Sequence, residues 1–185
     1  MKATQELVTE HDAVLLALRI LEKVEAAVAA NREEAPEHLG QLVEFFRVFV
    51  DHCHHGKEEE ALFPELERRG IPRDGGPIGV MLMEHGLGRE RVAGMAAGLD
   101  ELRKGVPGAV AAIRAHAAAY RDILRSHIHK ENSVLFPMAD RVVPADAADA
   151  LAAKFEAIER DRIGAGRHEA FHAMLSALKG YYGTA

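Results

Sequence analysis

Apolar positions along this chain recur at three- and four-residue spacing, as helices with one buried face require. Leu7, His11, Leu15 and Leu18 make one such stripe. Val43, Val50, His54, Glu58 and Ala61 make a second, and Met81, His85 and Val92 a third. His116, Tyr120, His127, Glu131 and Val134 make a fourth. Ala, Leu, Glu and Arg dominate, and the Val/Ile/Thr alternation of strands is absent, so helix is expected throughout. Breakers divide the pattern. Thr4 is placed to cap a first helix running to about Ala30. Pro36 fits the first turn of a second, which stops at Gly70-Ile71-Pro72. Asp74-Gly75-Gly76-Pro77 opens a third, and Gly105-Val106-Pro107-Gly108 separates it from a fourth ending near Arg141. Pro144 starts a fifth segment, interrupted at Gly164-Ala165-Gly166 and ending by Gly180. Four long helices with short connections predict an all-α, up-down-up-down four-helix bundle over residues 1–141. Residues 142–185 are expected as a C-terminal helical extension packed on the same domain.

The stripes carry histidine and glutamate where apolar residues belong. Two strings nearly repeat: His54-His55-Gly56-Lys57-Glu58-Glu59-Glu60-Ala61-Leu62-Phe63-Pro64 and His127-Ile128-His129-Lys130-Glu131-Asn132-Ser133-Val134-Leu135-Phe136-Pro137. Aligned on Leu-Phe-Pro, each sets a His and a Glu four residues apart, on one helical face. Glu10-His11 and Glu84-His85 are a second repeated pair, 43 and 42 residues before His54 and His127. Two helical hairpins, each carrying His and then His-x3-Glu, are expected to be related by an approximate two-fold.

Composition narrows the chemistry. The 185 residues fit one domain large enough to fold without disulfides. The single Cys53 excludes a disulfide framework and a Cys-rich zinc site. The net charge of −6, with no basic block, gives no support to nucleic-acid binding. No apolar run approaches the roughly 20 residues of a membrane helix, and no secretory leader is legible, so a cytoplasmic protein is expected. Eleven histidines are the anomaly.

A buried ionised carboxylate needs a compensating charge. With His11, His54, His85 and His127 and two glutamates, Glu58 and Glu131, on one interior, a pair of metal ions supplies it. If each glutamate bridges, four imidazoles complete about four of six positions per ion, two histidines from each half. Mixed imidazole and carboxylate ligands with open positions suit iron, and manganese less often; a structural zinc site would be closed.

The chain resembles the hemerythrin-like, His-His-Glu cation-binding proteins over about residues 4–140. The resemblance rests on Glu10-His11, His54-x3-Glu58-x3-Leu-Phe-Pro, Glu84-His85-x2-Gly88-Arg89 and His127-x3-Glu131-x3-Leu-Phe-Pro. It implies a hemerythrin-like four-helix bundle holding a non-haem di-iron centre bridged by two carboxylates and an oxo or hydroxo group. The implied ligands are His11, His54, Glu58, His85, His127 and Glu131; the implied partner is a small diatomic or peroxide. Oxygen-carrying members have a further histidine one turn after the third-helix ligand, where this chain has Arg89. The shorter set implies sensing, peroxide handling or iron handling.

Other residues have two readings each. His55 and Glu59 are also four apart, but the Leu-Phe-Pro alignment favours His54 and Glu58. His52 and His129 fall off the inner stripe and are expected at the surface. Tyr120 and His116 share it, either satisfying one another or lining a path that donates a proton to a bound ligand. Arg89 either pairs with a carboxylate near the site or projects to solvent, and the second is expected. Gly88 is expected to permit close helix approach, Phe45, Phe46 and Phe49 to be core, and His168 and His172 to be surface residues. The functional alternatives are peroxide consumption, an iron or oxygen sensor, ferritin-like storage and a structural zinc bundle. Storage sites of that kind use Glu-x2-His, whereas this chain uses His-x3-Glu.

Overall fold

The computed structural model describes residues 1–164 and 166–184. Ala165, at the expected interruption of the last segment, and Ala185 lie outside them. Six helices make up the described chain: α1 (Lys2–Ala29), α2 (35–68), α3 (Pro77–Arg103), α4 (109–142), α5 (Ala145–Arg162) and α6 (Arg167–Tyr182). The first four run up, down, up and down. Helix α1 begins at Lys2, so Thr4 lies in its first turn rather than before it; there its hydroxyl accepts from the Met1 amino group at 3.1 Å and donates to Asp140 Oδ1 at 2.7 Å.

Two of these helices widen beside the metal-type residues. Helix α2 starts as an α-helix (Ala35–Phe45) and opens into π-helical turns over Phe46–His55 and Glu58–Leu62. It closes again over Phe63–Arg68. Helix α4 does the same over Glu131–Leu135, between Ala109–Lys130 and Phe136–Val142. The repeated proline explains the position. Pro64 and Pro137 lack an N–H, and their rings crowd the carbonyl four residues back. The turn before each opens instead, so that Phe63 N–H donates to Glu58 O and Phe136 N–H to Glu131 O, five residues back. The extra residue rotates the next side chains around the helix axis. Val134, expected on the inner stripe, is 50 % exposed, and its neighbour Leu135 is buried in its place.

Helices α3 and α4 lie against each other along most of their length. Their close approach is set by Gly98 and Gly94. A Cβ at Gly98 would come 2.8 Å from Ile113 Cγ1, and one at Gly94 would overlap the His116 ring. Gly88 does not have this role, because a Cβ there would make ordinary contact with Tyr120 at 3.5 Å.

Apolar packing divides into two clusters with a polar layer between them. The larger joins α1, α2, α3, α4 and α6 around Leu18, Leu42, Phe46 and Met95. The smaller joins the other end of the bundle to α5 around Leu7, Phe63, Phe136 and Phe155. Each fully buried phenylalanine contributes about 1.5–3 kcal/mol. Phe45 stacks on Phe49 at 4.8 Å, and Phe171 of α6 meets Phe45 edge-on at 5.6 Å, which fixes α6 to the bundle. Among the described residues, no helix is long and apolar enough to cross a membrane.

Candidate metal centre

The polar layer gathers residues from four helices. His11 comes from α1, His54, His55 and Glu58 from α2, His85 from α3, and His127 and Glu131 from α4. All seven are at most 3 % exposed. Two groups have ligand atoms mutually within 4.8 Å and could each hold a metal ion. One is His55, Glu58, His85 and His127; the other is His11, His54, Glu58 and Glu131. The six residues expected from sequence are therefore brought together, with Glu58 common to both groups. Glu131 also spans them, with one oxygen 3.1 Å from His11 Nε2 and the other 3.2 Å from His127 Nε2.

The orientation of each imidazole is fixed from behind. His54 Nδ1 lies 2.7 Å from Glu10 Oε2, His85 Nδ1 2.7 Å from Glu59 Oε1, and His127 Nδ1 3.0 Å from Glu84 Oε2. His11 Nδ1 lies 2.9 Å from Asn132 Oδ1. An acceptor oxygen at each Nδ1 assigns the proton there and turns Nε2 inward with a free lone pair. The Nε2 atoms then face one another, 3.1 Å apart for His11 and His54 and 3.2 Å for His85 and His127. Both oxygens of Glu58 and of Glu131 are buried without a hydrogen-bond partner. With the imidazoles neutral, lone pairs and carboxylates converge with no donor among them, which is unfavourable without a proton or a metal ion between them. A pair of cations would satisfy all of them at once, so the residues present fit metal ions.

The backing residues obey the same approximate two-fold as the site. Glu10 precedes His11 and holds His54; Glu84 precedes His85 and holds His127. Lys57 precedes Glu58 and binds Glu10 at 2.5 Å; Lys130 precedes Glu131 and binds Glu84. Asn132 and Glu59, each following a central glutamate, hold His11 and His85. The repeated Glu-His and Lys-Glu pairs are the sequence signal for these roles.

Electrostatics follow the contacts. Burial alone would raise the Glu10 carboxyl, but its pairing with His54 and Lys57 brings it down to about 2. Burial would lower His127, but Glu131 and Glu84 push it up to about 10. His54 and His85 are also raised against the effect of burial, by Glu58 and Glu10 and by Glu58 and Glu59 respectively. His55 goes the opposite way: burial and the neighbouring histidines hold it well below its ordinary value.

His55 is where the structure departs most from the sequence reading. Rather than competing with His54 as a register, it joins the group on the other side of Glu58. Neither of its nitrogens has a hydrogen-bond partner, and the nearest carboxylate is Asp51, 3.6 Å from Nδ1. The wide turn of α2 lets two consecutive side chains both reach the interior. The two groups consequently hold three and two histidines, not two and two.

Arg89 also differs from expectation. It binds Asp51 at 2.6 Å and Glu59 at 2.7 Å, and Glu59 is the residue that holds His85. His116 lies against Gly94, about two and a half helical turns beyond His85. Its Nδ1 is unpartnered, so it neither reaches the site nor satisfies Tyr120. Tyr120 packs edge-on against Phe46 at 4.8 Å and lines a cavity that ends at His55. Burial raises its hydroxyl well above the ordinary tyrosine value. His52 and His129 are exposed. His168 and His172, with ring centroids 4.7 Å apart, lie against Phe49 and stand apart from the site. Cys53 is buried, its thiol pushed up to about 12 by burial.

An all-helical bundle with His and Glu side chains converging in its interior defines a cation-binding helical protein. The hemerythrin HHE cation-binding domain family matches residues 2–139, and the chain belongs to that family. No curated protein and no solved structure matches it.

Proposed function

We propose that the chain holds a non-haem di-iron centre and binds or reacts with dioxygen, peroxide or nitric oxide. His11, His54, Glu58, His85, His127 and Glu131 are its ligands, with His55 added as a fifth histidine. The observation carrying this reading is the convergence of imidazole lone pairs on the two unpartnered carboxylates, Glu58 and Glu131. Iron in such a site supplies redox electrons and open positions for a small oxygen- or nitrogen-containing ligand; manganese and zinc are the competing metals. The protein's own residues do the rest. Glu10, Glu59, Glu84 and Asn132 hold the imidazoles from behind, and the apolar clusters cover the site at both ends of the bundle. Three histidines on one side and two on the other would make two bound ions unequal. On this reading the site departs from the two histidines per half expected from sequence.

Metal quantitation combined with an anaerobic-to-aerobic absorption spectrum tests the reading. Two irons per chain and a charge-transfer band that changes with oxygen or azide are expected. Zinc after growth in iron-replete medium, or an iron protein with no such band, would overturn it. Oxygen evolution from peroxide no faster than with free iron would remove peroxide consumption specifically.

One chain of contacts favours a second reading, a non-enzymatic iron or oxygen sensor. His54 is held by Glu10, Glu10 by Lys57, and Lys57 by Glu159 of α5 at 2.8 Å. Metal occupancy at His54 is thereby linked to the C-terminal helices. Hydrogen exchange in α5 that is the same with and without metal would exclude it.

A further inference from the structure

The groove between α2 and α3 holds a cavity of about 440 Å³, and its size does not suit a diatomic ligand. A water-sized molecule occupies roughly 30 Å³, whereas pockets for organic ligands run from about 300 to 1,000 Å³. The walls are largely apolar, formed by Phe46, Val92, Ala96 and Tyr120, with the mutually paired Asp51 and Arg89 also on the lining. At the inner end is His55, only 3 % exposed, with both ring nitrogens unpartnered. At the outer end is Arg47.

Arg47 sits where this cavity meets a second, of about 460 Å³, which continues along the same groove towards Leu99 and Arg103. The other cations of the groove have carboxylates of their own. Arg89 holds Asp51 and Glu59, Arg103 lies 3.7 Å from Asp100, and Arg167 binds Glu44. Among the described residues Arg47 has no ion pair. Arg47 and His55 lie eight positions apart on α2, one exposed and the other buried. The site thus has a free cation at its mouth, an apolar body, and the buried His55 ring at its floor.

We propose that this cavity binds an amphipathic organic carboxylate. The carboxylate pairs with Arg47, the apolar chain lies against Phe46, Val92 and Tyr120, and the far end meets His55. Binding rests on the cavity alone. Only the statement that the far end approaches a metal pair rests on the function proposed above.

Calorimetric titration of the full-length protein, as isolated with its metal, with decanoate tests the binding. Saturable one-to-one binding is expected, at least tenfold tighter than for acetate. Arg47→Ala should weaken decanoate by tenfold or more and leave decanol unchanged, which separates the charge from the apolar contact. Ala96→Phe, or Ala93→Phe at the more exposed rim if the first does not fold, should abolish binding of both. Decanoate binding no tighter than acetate, or unaltered by filling the cavity, overturns the proposal. An Arg47→Ala effect equal on acid and alcohol overturns the role of the carboxylate. Repeating the titration with Glu58→Gln separates the two readings. Decanoate binding retained in a metal-poor protein supports the cavity whatever becomes of the metal reading, and a decanoate-induced change in the absorption spectrum of the loaded protein places its far end at the metals.

Discussion

His55 lies flat on His85, their ring centroids 3.7 Å apart and their planes within 12°. This contact ties a residue of α2 to one of α3 within one of the two groups that could hold a metal ion. His55→Ala is expected to reduce metal bound per chain and to bleach or shift any charge-transfer absorption. His52→Ala, two residues from His54 but exposed, should leave both unchanged. A His55→Ala protein with full metal content and an unaltered spectrum would return the site to six ligands.

Glu58 and Glu131 each stand between the two groups. Glu58→Gln or Glu131→Gln should therefore lower occupancy at both positions together rather than at one. Elemental analysis giving one ion per chain in either variant would argue for carboxylates that each serve a single ion.

Arg89 holds Glu59 behind His85 and Asp51 beside His55. Removing such backing typically costs ten- to a hundredfold in metal affinity. Arg89→Ala should show a loss of about that size in competition with a chelator. Arg89→Lys should recover only part of it, because an ammonium lacks the guanidinium's fork. Equal affinity in all three proteins would make the arginine a surface residue.

Lys57 is fully buried among Glu6, Glu10 and Glu159, at 2.7, 2.5 and 2.8 Å. Lys57→Met keeps the apolar stem but leaves three carboxylates facing one another. Breaking a buried pair from one side costs about 3–5 kcal/mol, so a large fall in denaturant midpoint is expected. Limited proteolysis should show α5 released first, since Glu159 is one of its anchors.

Stability without metal should depend on pH in both directions. Glu10 is lowered to about 2, so its contribution is complete above about pH 4.5 and is lost as pH falls towards 2. His127 is raised to about 10, so its contribution is complete below about pH 6.5 and is lost as pH rises towards 10. Metal-stripped protein should be most stable between roughly pH 4.5 and 6.5. Metal replaces the protons on the imidazoles, so loaded protein should keep its stability well above pH 7 and release protons on loading. Thermal melts across pH with and without chelator check this; parallel profiles for the two forms would contradict it.

Much of this protein is decided locally and is legible in its sequence. Three- and four-residue periodicity, glycine and proline breakers, and the repeated His-x3-Glu spacing are properties of a single helix, and they suffice for the all-α bundle and the convergence of six site residues. What depends on neighbouring helices is not legible. The wide turns before Pro64 and Pro137 change how many residues complete a turn, which sends Val134 outward and Leu135 inward; fixed 3.6-residue counting cannot register that change. A separate wide stretch of α2, Phe46–His55, lets His54 and His55 both enter the core, where an ideal helix would choose between them. Sequence alone sends Arg89 to solvent because its partners, Asp51 and Glu59, lie 38 and 30 positions away along the chain, brought alongside only when α3 packs on α2. Periodicity tells each helix which face to bury; only the packing of one helix on another decides which polar groups meet there, because their energies depend on distances across helices that no single segment contains.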